Sequence, residues 1–343
     1  MLLGRVADRI LAALIPVLMP IAELESGSVN EDSTRHAALE LLREIRRSDE
    51  TNLPLENALS LDFWRKLNPS LSIGDEQDPQ RLEGDALRPE DLAQLREKVR
   101  VEGYFKTKHT LDTTELNRFK AGIETLRAQG LPAAFCLVYD EFWLFGRTPS
   151  LVQLVASILG PQYRQMTWAW CNYVEPVRTA SGWHPHRDGS AHGDRLTVWI
   201  PVTEATVDNG CMYVIPKDKL DPRTSLEEAD ARSLLHATRA LPARPGELLG
   251  WDFDVVHWGS PSSDAATEPR VSLSQVFIAR SAEPDEEVLF EISPLPSFEE
   301  RVYAISRNLL YYGKFELTLA RYADLARRLI ARIEPVLREQ ARS

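Results

Sequence analysis

Five segments between Tyr163 and Arg280 are dense in β-branched and aromatic residues: YRQMTWAWCNYVEP, RLTVWIPVTEA, GCMYVIP, GELLGWDFDVVHW and RVSLSQVFIAR. Turn residues separate them, among them Asp208-Asn209-Gly210. Such side chains fit a pleated, half-buried surface. Short strands at this spacing point to an antiparallel sandwich or barrel. Whatever else the chain forms must pack around that β core.

The flanks carry helical periodicity. Arg35–Glu50 places apolar residues at helical spacing between charges. RPEDLAQLREKVRVEG has Pro89 at an early helical position and Gly103 as its stop. YFKTKHTL reads as a short strand, DTTELNRFKAGIETLRAQG as a helix closed by Gly130, and PSLVQLVASILG as another helix. From Tyr312 onward the chain is helical again. PSLSIGDEQDPQRLEGDALRPED, rich in Pro, Gly, Ser and acids, is expected to be a linker or exposed loop. The expected organisation is a helical extension over 1–87, a β domain with supporting helices over 88–290, and a helical segment over 291–343 packed on the core.

A chain of 343 residues can bury a substantial core. Its net charge of -11 argues against nucleic acid or an anionic membrane as a partner, because both need a basic surface. Cys136, Cys171 and Cys211 form neither a disulfide framework nor a CxxC pair, which fits a reducing, cytoplasmic setting. The N-terminal stretch has Arg5, Arg9 and an apolar run from Ile10 to Ala22, but Asp8, Pro16 and Pro20 disfavour a signal peptide. The run is too short to span a bilayer, and an amphipathic segment docked on the folded body is expected. The oligomeric state is not legible.

The chemistry concentrates in GWHPHRDGS, Gly182–Ser190. Alternate residues of a strand share a face, so His184, His186 and Asp188 project together. His184 stands four residues before Asp188, a spacing that suits a helix, which favours His186 as the partner of Asp188. His184 is then a loop residue beside Pro185 or faces a substrate. His257, in WDFDVVHWGS, can complete the set if the sheet folds back on itself. Two imidazoles and one carboxylate are the facial triad of non-haem Fe(II) oxygenases, which leaves the opposite face open for a co-substrate and O₂. Arg270 and Ser272 again alternate on one strand, and a guanidinium fork beside a hydroxyl suits a carboxylate. An iron site next to such a clamp points to 2-oxoglutarate.

The stretch from about Gly103 to Arg280 resembles the phytanoyl-CoA dioxygenase family of Fe(II)/2-oxoglutarate oxygenases. The resemblance lies in WHPHRDG, TVWIPVTEATVDNGCMYVIPKDK, PGELLGWDFDVVHWGS and PRVSLSQVF. It implies a double-stranded β-helix, a jelly-roll variant braced by helices, with iron on His186, Asp188 and His257. It implies 2-oxoglutarate on Arg270, assisted by Ser272, Ser260 and Trp199. Related halogenases lack the carboxylate ligand, so Asp188 implies an oxygenase. The implied reaction consumes O₂ and 2-oxoglutarate, hydroxylates a small molecule of natural-product or amino-acid type, and releases succinate and CO₂; desaturation, epimerisation and ring formation use the same ligands and stay open. Pro216-Lys217-Asp218-Lys219 stands where the family often has Pro-Gly-Ser-His, near the mouth of the site in relatives.

The bland readings weigh on individual residues. Trp168, Trp170, Trp199 and Trp251 are expected to be core or strand-face packing. Trp183 and Trp258 adjoin the ligand segments and are the pocket candidates. Asn172 and Gln165 either touch co-substrate or substrate, or face solvent. His192 is expected in a loop, and His36, His109 and His236 have no clustered partners. Two rival functions remain: another metal-dependent jelly-roll enzyme, such as a cupin-type isomerase or a hydrolase, and a non-catalytic jelly-roll binding protein.

Overall fold

The computed structural model describes residues 52–340, apart from 75–81, 83–85, 109, 178–181, 190–192, 222, 225, 227–228 and 284–287. The expected helix over Arg35–Glu50, the N-terminal apolar segment, and His36, His109 and His192 lie outside the described residues.

The helices before the sheet are α1 (Leu55–Ala58), α2 (Leu61–Leu67), α3 (Pro89–Glu102), α4 (Thr113–Ala128), α5 (Asp140–Phe145) and α6 (Pro149–Leu159). Local chemistry sets their ends. Pro89 opens α3, and Gly103 closes it at φ 81°, a left-handed conformation that favours glycine. The Asp112 carboxylate accepts from Thr114 N–H and starts α4. Pro149 opens α6.

The strands are β1 (Tyr104–Lys106), β2 (Arg164–Val174), β3 (Arg195–Pro201), β4 (Met212–Ile215), β5 (Arg239–Leu241), β6 (Leu249–Asp252), β7 (Val256–Gly259), β8 (Arg270–Ile278) and β9 (Leu289–Phe290). A short helix α7 (Ala231–Ala237), which carries an exposed His236, precedes β5. The strands form a sheet in the order β1-β6-β3-β8-β2-β9 and a smaller one in the order β5-β4-β7. Every strand pair in them is antiparallel. The arrangement is the mixed, helix-braced double-stranded β-helix that the sequence implies.

GELLGWDFDVVHW, read as one strand segment, is two strands in different sheets. An Asx turn breaks it: Asp254 N–H donates to the Asp252 carboxylate and Val255 N–H to the Asp252 carbonyl. This corner turns His257 towards the inner face of the large sheet.

The large sheet separates two environments. Its outer face presents Leu196, Val198, Ile200, Leu273 and Phe277 to a core shared with Phe119, Ile123 and Phe142. Two C-terminal helices, α8 (Phe298–Tyr312) and α9 (Ala323–Gln340), complete that core with Ile305 and Leu329. Leu53 and Trp64 share it too, so residues just after position 52 pack on the main body. The inner face is covered by the smaller sheet, with Trp199, Met212, Val214 and Trp251 between the layers.

Gln165 belongs to the outer side. Its Oε1 accepts from Arg147 Nη1 at 2.8 Å, and its Nε2 donates to Gln275 Oε1 at 3.2 Å. It is fully buried and does not line the inner cavity, so it faces neither solvent nor that cavity. No helix among the described residues is long and apolar enough to cross a membrane.

Candidate metal centre and anion pocket

The inner face is built by strand alternation. Trp168, Trp170 and Asn172 of β2, Thr197 and Trp199 of β3, and Arg270, Ser274 and Val276 of β8 line one cavity of about 240 Å³. Trp251, paired across the sheet with Thr197, joins them. His186, Asp188 and His257 occupy the same cavity.

The two histidines, distant in sequence, are neighbours through their backbones. His186 N–H donates to the His257 carbonyl at 3.1 Å, and His257 N–H to the His186 carbonyl at 2.9 Å. Gly182 allows this approach: a Cβ there would lie 2.0 Å from the Gly259 carbonyl oxygen. Trp183 N–H, one residue on, donates to that same oxygen at 2.9 Å.

Both rings are fixed at their far nitrogens. His186 Nδ1 lies 2.8 Å from the His184 carbonyl, and His257 Nδ1 lies 3.1 Å from the Val255 carbonyl. A carbonyl can only accept, so both rings donate from Nδ1–H and turn Nε2 inward. Those Nε2 atoms stand 3.7 and 3.6 Å from Asp188 Oδ1. The three ligand atoms lie within 4.8 Å of one another. Asp188 Oδ2 is held from behind by Thr197 Oγ1 at 2.8 Å and Trp251 Nε1 at 3.1 Å. Oδ1 is thus the oxygen left to face the histidines. Burial holds the His257 ring below its ordinary pKa, with Asp188 opposing the shift, so the ring stays neutral, as a ligand must.

Arg270 is the second unusual group. It is 2% exposed. Its Nη1 meets only the Met212 sulfur, at 4.0 Å, and its Nε has no hydrogen-bond partner. The guanidinium lies 6.0 Å from the Trp199 ring. Gly259 leaves room beside it, since a Cβ there would come within 3.2 Å of Nη2. Burial pushes its pKa down to about 10, so the group still carries its charge at neutral pH. A buried cation without an anion is costly, and the cost falls when a carboxylate arrives. Ser272 shares the strand face of Arg270, and its buried Oγ is likewise without a partner.

The remaining expected residues fall in different places. Trp183, His184 and Asn172 line the cavity, as does Trp199. His184 also acts through its backbone, as the acceptor for His186. Ser260 is off the cavity wall, with a buried hydroxyl that lacks a partner. Trp258 is turned to the other face of β7 from His257, where it stacks on Tyr213 at 5.4 Å. No residue of Pro216–Lys219 lines the cavity either; Lys217 pairs with the buried Asp252. Thr197, Trp251, Tyr311, Tyr312 and Phe315 are site residues that the sequence reasoning does not reach as such. For Thr197, alternation with Trp199 was an available signal.

Thr197→Val keeps shape and removes one of the two donors to Asp188. Metal affinity is expected to fall about tenfold to a hundredfold with the fold intact, measured by competition against a chelator. An unchanged affinity would show that the hydroxyl does not orient the carboxylate.

Residues 82–267, more than half of the chain, match the phytanoyl-CoA dioxygenase (PhyH) family. The chain belongs to this family of Fe(II)/2-oxoglutarate-dependent oxygenases. Among solved structures it is similar to the non-heme alpha ketoglutarate dependent epimerase SnoN from nogalamycin biosynthesis, at 22% identity over 56% of this chain and 84% of that one, with a TM-score of 0.47. AviO1 from Streptomyces viridochromogenes is 19% identical over 58% of this chain and 99% of that one, with a TM-score of 0.44. EctD from S. alaskensis, solved with 2-oxoglutarate and 5-hydroxyectoine, is 16% identical over 62% and 87%, with a TM-score of 0.45. No curated protein matches the chain. The family assignment rests on the match over 82–267.

Proposed function

We propose that the protein is a dioxygenase that hydroxylates an unactivated C–H bond of a small molecule, converting 2-oxoglutarate and O₂ to succinate and CO₂. His186, Asp188 and His257 would hold Fe(II), and Arg270 would pair with the distal carboxylate of 2-oxoglutarate. The observation that carries this reading is the buried, unpaired Arg270 in the same cavity as three converging ligand atoms. The donor set fits ferrous iron: two imidazoles and one carboxylate, with no thiolate among them.

Iron and 2-oxoglutarate, when bound, supply the activation of O₂ and the oxidising power. The chain's own residues bind, orient and exclude water. The carbonyls of His184 and Val255 fix which nitrogens face inward. Thr197 and Trp251 fix Asp188. Ser272 does not line the cavity, but its buried, unpartnered hydroxyl shares the strand face of Arg270 and would assist from behind it, and Trp199 forms an apolar wall beside the guanidinium. Ser260 is proposed to assist only through the backbone of the β7 end, since its side chain is off the wall.

The rivals lack a use for Arg270. A cupin-type isomerase or hydrolase needs the metal ligands but no carboxylate clamp, and a non-catalytic binding protein needs neither. The test is anaerobic addition of Fe(II) and then 2-oxoglutarate to the purified protein. A visible metal-to-ligand absorbance band that requires both, followed by succinate formation on admitting O₂, is the expected result. Metal binding without the band favours the other metal-enzyme reading; no metal binding favours the non-catalytic one.

A further inference from the structure

One wall of the cavity comes from outside the matched family region. α8 ends at Tyr312 and the following turn returns Phe315, and Tyr311, Tyr312 and Phe315 all line the cavity of His186, Asp188 and His257. They face the indoles of β2 and of the metal-ligand segment. Trp168 stacks on Tyr311 at 6.1 Å, Trp170 on Tyr312 at 4.2 Å, and Trp183 meets Phe315 edge-on at 5.2 Å.

Two of these rings are not finished by the fold. Tyr311 is 47% exposed and Phe315 is 55% exposed. Among the described residues, the other exposed large apolar side chains are all Val or Leu. Exposed aromatic surface at a cavity mouth is what a guest would cover.

The chemistry of the wall narrows the guest. A cation is disfavoured: Lys314 already lies over the Tyr311 ring at 5.6 Å, and Arg187 stands at the cavity wall. An alkyl chain would find only Ala169, Met212 and Val276 as aliphatic lining. Rings prefer rings in edge-to-face or offset contacts, which adds to simple burial. Asn172 and His184 supply polar contacts on the side where the cavity opens. There a larger trough of about 690 Å³ begins, which shares Trp170, Asn172, Trp183, His184 and Phe315 with the cavity. A substrate can therefore extend beyond the metal cavity.

We propose that the substrate is an oxygenated planar aromatic compound. Its ring lies against Trp183, Tyr311 and Phe315, its oxygen substituents reach Asn172 and His184, and the rest of the molecule occupies the trough. This deepens the oxygenase reading and rests on it for the identity of the reacting site.

The test uses the full chain, free of metal and 2-oxoglutarate, with calorimetric titration of 2-naphthol, its saturated counterpart decahydro-2-naphthol, and methyl glucoside. 2-Naphthol is expected to bind about tenfold more tightly than the saturated alcohol. Tyr311→Ala and Phe315→Ala should each remove that preference. Both side chains are about half exposed, so the variants should keep the wild-type circular dichroism and melting curve. Leu235→Ala, at a site 75% exposed on α7, should change nothing. Equal binding of both alcohols, tighter binding of the glucoside, or a preference that survives Phe315→Ala would overturn the proposal. Because neither metal nor 2-oxoglutarate is present, these outcomes are independent of the absorbance test of the iron site.

Discussion

Arg270→Met is expected to lose 2-oxoglutarate while becoming no less stable. The guanidinium is buried without an acidic partner among the described residues. Replacing an unsatisfied buried charge with an apolar side chain of similar reach is often neutral or stabilising, by roughly 1–4 kcal/mol. The bound state tells the opposite story. Removing one partner of a buried ion pair costs about 3 kcal/mol or more, which is roughly a hundredfold or more in affinity. The wild type should therefore gain stability on adding 2-oxoglutarate, by about 2.7 kcal/mol at a hundredfold excess over its dissociation constant. The variant should show a melting temperature equal to or above the wild type's and no response to 2-oxoglutarate. A variant that still responds as the wild type does would remove Arg270 from the anion pocket.

Asp188→Ala is expected to have the largest effect on the metal. Even the partners that orient such a ligand are worth about tenfold to a hundredfold in affinity, so loss of the ligand itself should exceed roughly a hundredfold. Asp188→Asn should not rescue it. Oδ2 accepts two donors, from Thr197 and Trp251, while Oδ1 faces the histidines. An amide has one accepting oxygen, so its NH₂ must face either the Trp251 indole N–H or the metal. Iron content after anaerobic reconstitution, with succinate production as a second readout, checks both variants. Stoichiometric iron in Asp188→Ala would dismiss the triad.

Much of this site could be read from spacing. Alternation puts Arg270 and Ser272 on one strand face, because a strand leaves a side chain only two directions; for Asn172 it leaves cavity and solvent both open, and the fold decides for the cavity. The juxtaposition of His186 with His257 needed the further premise that the sheet folds back, and the corner at Asp252 supplies that turn. The same alternation, applied to β7, turns Trp258 away from the cavity once His257 is set inward; only its place beside His257 in the sequence makes it a pocket candidate. Gln165, seven residues before Asn172, falls on the opposite face of β2; the register irregularity between Gln165 and Ala169 inserts two residues and leaves the alternation intact.

The wall made by Tyr311, Tyr312 and Phe315 is another matter. Helical periodicity is legible from Tyr312 on, yet α8 ends there. Its start carried a readable signal, the Ser297–Glu300 capping box. That its last turn reaches the cavity follows from how α8 packs beside β2, a tertiary fact with no local signature. The inner cavity draws on both regimes: strand rules for its metal face and packing of a distant helix for its mouth.

The reciprocal hydrogen bonds between His186 and His257 bear on how a metal would bind the candidate triad. The spacing of the ligands is set by main chain, so ordering the site does not wait for an ion. Domains that fold only around their metal divert part of the binding energy into organising the polypeptide. With His186 and His257 already held together by main chain, less of the binding energy of a metal on this triad would be diverted in that way.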